Sequence, residues 1–377
     1  MISRRALCFC IGLVLAPGVQ PGYADAQPPM SGPLSANPDP LTFRIGSMDP
    51  ITVSGAFSGI AFVQDKPSPG DRHARADIDN AEFFIQSSSG WLQFFVQTGV
   101  YSLSSLGTSY LSAGRTPEKT YGCVPQAFFK LAPTDEISIE AGKLPSLIGD
   151  ESTFSFQNGN IERGLLWNQT SSVSRGVQVN YVSAPVTLSI SWNDGYYSNR
   201  FNWLTGLGTC DLGAGFGAVT VMAGVNLGHT GYSSFATPLA QNNSAVVDIS
   251  YTIALGSWTF NPYVQFSKIP MSRAAGLANS SHTAGAAALV TRKLTDEWAI
   301  VARAEYISTD GGLNLLYGAD SAAASITLTP SYQKGVFFAR AEASYVLATH
   351  LEIGSGLGCD GGSNSQARLM LETGLLL

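Results

Sequence analysis

The chain has 377 residues, enough for one large or two ordinary domains. Only 13% are Asp, Glu, Lys or Arg, against about 25% in a typical soluble protein, while 10% are aromatic and 40 are glycine. So sparse a charge count argues against a large soluble sandwich, and the formal net charge of −6 argues against a nucleic-acid partner, which would favour a basic surface.

Residues 1–24 read as a signal peptide. Arg4 and Arg5 form a basic n-region, an apolar run extends from Ala6 to Ala16, and small residues allow cleavage after Ala24 or Ala26. Cleavage after Ala24 removes two of the 21 basic side chains and no acid, leaving 19 against 27 and a formal net of −8. Residues 25–50 are rich in Pro, Ser and Gly with almost no periodicity, which predicts a flexible periplasmic leader.

From Ile51 to Leu377 the chain breaks into alternating segments of about ten residues. In order they are 51–64, 78–87, 91–103, 123–133, 136–144, 174–184, 186–197, 203–213, 217–229, 243–255, 257–267, 282–293, 297–307, 323–332, 336–348 and 367–377. Of these, 203–213 and 282–293 are the weakly patterned ones. Every second connection is short, as in "SSG", "PTD", "AP" and "QKG", and most of the others are long, above all 145–173. After residue 20 no stretch approaches the ~20 apolar residues of a membrane-spanning helix. Short and long connections in alternation predict an all-β fold: a transmembrane antiparallel up-and-down β-barrel of about 16 strands, sited in the bacterial outer membrane.

Successive side chains of a strand point to opposite faces, so each segment names its two solvents. "VFFARAEASYVL" places Phe337, Ala339, Ala341, Ala343, Tyr345 and Leu347 on one parity and Phe338, Arg340, Glu342 and Ser344 on the other. "VTLSISW" sends Val186, Leu188, Ile190 and Trp192 toward lipid and Thr187, Ser189 and Ser191 toward a lumen. The same rule assigns the bases Lys130, Arg303, Arg340 and Arg368 to the lumen. It assigns the acids Glu82, Glu140, Asp211, Asp248, Glu305, Glu342 and Glu372 there as well. Arg303, Glu305, Arg340 and Glu342 are expected to form a compensated ladder, and the acidic remainder favours cations. The 145–173 connection mixes charges with Phe154, Phe156, Leu165, Leu166 and Trp167. It is expected to fold inward and present Asp150, Glu151, Glu162 and Arg163 as the pore constriction.

Several pieces of residues 137–203 carry a resemblance. They are Gly142-Lys143-Leu144-Pro145 with Gly149 and Glu151, Asn160-Ile161-Glu162-Arg163, Arg175-Gly176-Val177, and "WNDGYY" closing the seventh segment. This stretch resembles the core of the OmpL-like porins, the β-barrel porin-2 family. That family usually closes the last of these strands with Asn-Gly; here Asp194 separates Asn193 from Gly195. The resemblance implies an outer-membrane barrel with channel activity and names no substrate.

The remaining constellations read as structural. His73, His229, His282 and His350 are too dispersed for a metal site. Cys123, Cys210 and Cys359 survive processing, and a Cys123–Cys359 bridge would pin the second loop to the last. Ser280, Ser281 and His282 adjoin, the pairing a barrel lipid hydrolase would use, but no orienting third group is visible in the sequence. The expectation is a non-enzymatic porin without cofactor, passing small hydrophilic solutes or ions and contacting outer-membrane lipid, with a homotrimer as one assembly open to it. An adhesin or envelope anchor is the alternative.

Overall fold

The computed structural model describes residues 30–46, 49–311 and 316–377, so the expected signal peptide lies outside the described residues. A short strand, β1 (Leu41–Phe43), pairs with the first residues of β2 (Ile51–Gln64). The barrel then continues through β3 (Ala74–Ser87), β4 (Leu92–Tyr101), β5 (Gln126–Leu131), β6 (Ile137–Pro145), β7 (Val173–Ser183), β8 (Val186–Asn193) and β9 (Trp203–Asp211). It is completed by β10 (Ala218–Asn226), β11 (Ala245–Leu255), β12 (Trp258–Ile269), β13 (Ser281–Lys293), β14 (Trp298–Gly311), β15 (Ala322–Lys334), β16 (Phe337–Thr349) and β17 (Ser365–Leu376). Each pairs antiparallel with its neighbour in sequence, and β17 pairs back onto β2 from Arg368 opposite Gln64 to Leu376 opposite Ala56. β2 to β17 therefore form a closed sixteen-stranded up-and-down barrel. Closure satisfies every strand's backbone groups without a free edge, which the hydrocarbon region demands.

All sixteen expected segments are strands, including β9 and β13, whose patterns were weak. β3 begins four residues earlier than its alternation indicated. Its register slips opposite Ser58 and Gly59, where a bulge turns both Asp79 and Asn80 inward. The bulge reverses the parity along the strand: Ala74, Ala76 and Ile78 face out before it and Phe83 after it. Period-2 reading cannot cross such a step.

The two faces are as the alternation requires. Leu188 is 46% exposed while Ser189 beside it is 1% exposed. Leu369, Leu371 and Leu375 line the outer face of β17, and Arg368 and Glu372 its inner face. Amphipathic rings gather near the strand ends: Trp258 stacks on Phe260, and Trp298 meets Tyr332 across β14 and β15 with centroids 4.9 Å apart. Among the described residues no helix is long and apolar enough to cross a membrane; the strands do so.

Candidate pore constriction

The third long connection (146–172) turns into the barrel instead of outward. It leaves β6 along an apolar track, with Leu147 against Leu207 and Met222, and Ile148 against Trp203 and Val246. At its far side a single 3-10 turn (Ser155–Gln157) follows Phe154 and contains Phe156, and both rings pack on Phe84, Phe95 and Tyr101 of β3 and β4. On the return, Leu165 and Leu166 rest on Tyr263, Ala287 and Ile307. The inward parity is largely polar, and many of its apolar exceptions form the seat of this loop.

Charged wall residues grip the loop's backbone. Glu342 accepts hydrogen bonds from the amides of Ile161 (2.6 Å) and Glu162 (3.1 Å), and Glu305 from those of Leu165 (3.0 Å) and Leu166 (3.4 Å). Arg340 donates to the carbonyl of Asn158 (2.8 Å), and Arg303 to that of Glu162 (2.8 Å). A loop inside a barrel has no strand partner for its amides and carbonyls, so these side chains supply what a ladder would. Each hydrogen bond to a charged group contributes ~1.5–3 kcal/mol. Gly164 is needed at the tightest point, since a Cβ there would lie 2.0 Å from Glu305 Oε1 and 2.7 Å from Glu151 Oε2.

The four loop residues expected at the constriction all lie inside the barrel, and two of them form ion pairs with the wall. Glu151 pairs with Arg303 at 2.5 Å and also accepts from Gly164 N at 2.8 Å. Glu162 pairs with Arg368 on β17. Arg163 is fully buried, donates to Ser102 O at 3.4 Å and lies over Trp167, its carbon 5.3 Å from the ring centre. Asp150 is held by Ser250 and Asn261, and burial pushes its carboxyl up to about 6.

The wall charges are arranged differently from the expected ladder. Arg303 does reach Glu305, at 3.3 Å, but Arg340 pairs with Glu372 on β17, which stands directly opposite it in register. Glu342 is left to the loop amides. Two residues apart on one strand is a worse ionic distance than a cross-strand pair, so the neighbouring strand wins. Lys130 and Glu140, opposite one another on β5 and β6, are 3.8 Å apart. Asp211 is no lumen acid: it is exposed at the end of β9, accepting from Gly213 N in the turn at 2.9 Å.

Alternation missed Asp79, which the bulge brings inward to accept hydrogen bonds from Ser102 and, at 2.5 Å, Ser155. The inward aromatics Phe84, Phe95 and Tyr101 are the sequence signal of a loop seat on that side. The motif residue Asp194 is fully buried, and its carboxylate accepts from Arg175 N at 2.7 Å and Nε at 2.8 Å, tying the start of β7 to the end of β8. Among the described residues Cys123, Cys210 and Cys359 are unbridged and exposed, so the Cys123–Cys359 bridge is absent. Among the described residues no group of three or more His, Cys, Asp or Glu could hold a metal. His282 stands 3.1 Å from Asp310, but Ser281 is buried on the opposite face of β13, so the adjoining pair cannot meet.

Comparison with solved structures finds the same barrel at low identity. The outer membrane channel DcaP of Acinetobacter baumannii superposes with a TM-score of 0.59 at 11% identity, covering 89% of this chain and 99% of that one. In vitro folded OmpT of Vibrio cholerae, in its trimer form, gives 0.58 at 11% identity, covering 87% and 99%. An anion-selective porin from Comamonas acidovorans gives 0.58 at 9% identity, covering 87% and 99%. At such identities the likeness is one of fold. No curated protein matches the chain in sequence. A family model, however, matches residues 50–377, all of the barrel and nearly the whole chain. The chain belongs to the putative beta-barrel porin-2, OmpL-like family, and is an outer-membrane barrel.

Proposed function

We propose that the chain is a passive diffusion channel for small hydrophilic solutes or ions, narrowed by its third loop and weakly cation-preferring. The observation that carries the reading is the loop's inward course, stitched at mid-barrel to charged wall residues. A sixteen-strand barrel is wide enough for an aqueous path, and a loop laid across it sets the width of that path. Such transport needs no cofactor and no catalytic residue.

The charge inventory supports the cation preference. Asp77, Asp79, Glu82, Asp150, Asp248 and Glu342 face inward and make no ion pair among the described residues. Against them stand Arg75, stacked on Tyr110, and Arg163. Acidic linings favour cations, and screening weakens the effect as salt rises. The neighbour from Comamonas is anion-selective, but at 9% identity it shares the fold and not these side chains. A homotrimer is the assembly we expect, since one neighbour of the same fold is a trimer.

Planar-bilayer recording in a salt gradient tests the reading. Stepwise conductance with a cation-sign reversal potential at low salt is the expected result. Anion preference would overturn the charge reading alone. Absence of steps would favour the second reading, an envelope anchor or adhesin, which the loop's contacts with β3, β4 and β9 through β17 also suit.

A further inference from the structure

The leader enters the barrel. Ser31 donates from both N and Oγ to the carbonyl of Gln157, each at 2.7 Å, and Gly32 N donates to the same carbonyl at 3.0 Å. Leu34 is 3% exposed and belongs to the apolar cluster of Phe154, Phe156, Phe338 and Leu376. Ser35 exchanges two hydrogen bonds with the side chain of Gln333, both at 2.7 Å. β1 then pins the following residues to the start of β2. Phe338 and Leu376 lie at the end of the barrel that carries the short turns. The leader therefore comes in from that end and meets the tip of a loop that comes in from the other.

The fit leaves no slack. A Cβ on Gly32 would stand 2.4 Å from the carbonyl oxygen of Asn158, which accepts a hydrogen bond from Arg340. A free linker of Pro, Ser and Gly would need neither a buried leucine nor a glycine fitted against one carbonyl. The sequence expectation of a flexible leader does not describe residues 30–35.

Building on the channel reading above, we infer that Ser31–Ser35 is a strap that clamps the tip of the third loop from the periplasmic side and sets the opening of the constriction. Its residues act through Gln157, Asn158, Phe154 and Phe156, so Gly32 and Leu34 are positioning residues. With the strap in place, the loop tip is held between the wall (Phe84, Phe95) and the leader. With the strap displaced, the tip keeps its wall contacts but loses its floor, and the path beside it widens.

The test compares single-channel conductance of the mature chain with Gly32→Ala, Leu34→Ser and a deletion of residues 31–36. Thr42→Ala, on the exposed face of β1, serves as control. Heat-dependent electrophoretic mobility confirms that each barrel is closed. The inference expects about twofold or greater conductance, or added open-state flicker, in Gly32→Ala and Leu34→Ser, and most in the deletion, with Thr42→Ala unchanged. The point changes lie outside the sixteen strands, so they probe the strap even if the deletion fails to assemble. Folded Gly32→Ala and Leu34→Ser barrels that conduct like the parent overturn the strap. A silent parent with a conducting deletion makes the strap a plug and supports it. Silence in the parent and every folded variant removes the channel reading and the strap's function with it.

Discussion

Arg303 on β14 and Glu151 on the third loop, 152 residues apart in sequence, meet at 2.5 Å in the barrel interior. The guanidinium also bonds the carbonyl of Glu162 and reaches Glu305, so one wall residue ties both arms of the loop. Both partners of the central pair are almost wholly buried, and removing one leaves the other as an uncompensated charge. Breaking such a pair typically costs ~3–5 kcal/mol. Arg303→Met is expected to lower the barrel's resistance to denaturant by roughly that order and to raise conductance by freeing the loop. Urea titration of the refolded barrel beside bilayer recording checks both; a variant with parental values in each would show that the pair does not hold the loop.

Excising the tip, Thr153 to Asn160, removes Phe154 and Phe156 from their seat and the carbonyl of Asn158 from Arg340. The barrel's ladder is untouched by the excision. Conductance should rise while heat-dependent mobility stays that of a closed barrel. An unchanged conductance in a folded variant would deny the loop its restricting role.

The lipid face is tested by Ile190→Arg, which is 60% exposed midway along β8. A charge there should cost roughly 2–4 kcal/mol of folding stability. Thr187→Arg, on the inward parity of the same strand, should cost much less, because its long side chain reaches lumen water. Equal losses in both would mean that the two faces of β8 are misassigned.

Asp150 should make conduction through the barrel depend on pH. Burial raises its carboxyl to about 6, above the ordinary value of 3.8, so it is neutral below that pH and charged above it. The acid excess in the interior is therefore smaller at pH 5 than at pH 8, and cation preference should fall as pH drops through about 6. Asp150→Asn should reduce that inflection while leaving the preference at pH 5 close to parental. A reversal potential flat from pH 8 to pH 5 would contradict the assignment.

The exposed cysteines report orientation. Cys123 lies just before β5 and Cys359 in the last long loop, whereas Cys210 is at the short-turn end of β9. A membrane-impermeant maleimide applied to intact cells should label Cys123 and Cys359 and spare Cys210. Labelling confined to Cys210 would invert the barrel.

The strands were legible in the sequence because their signal is local. A period of two, broken by turns, depends only on which solvent each face meets, so strand number, strand order and the sides of Arg303, Arg340 and Leu188 could all be read from the sequence. The third loop was legible as a candidate because its length and its Phe and Leu residues do not suit a loop in water. Its partners were not legible. Local spacing put Arg340 with Glu342, but the closing of the barrel sets Arg340 opposite Glu372 and leaves Glu342 to the amides of Ile161 and Glu162. The bulge at Ser58 and Gly59 defeated alternation in β3 and hid Asp79, because one extra residue flips every later side chain. Composition likewise made the leader a linker, while Leu34 and Gly32 are fixed by surfaces that exist only once the barrel has closed around Phe154 and Phe156. Alternation is decided residue by residue along a strand; what fills a barrel is decided by contacts between segments far apart in the chain, and only the tertiary structure brings those together.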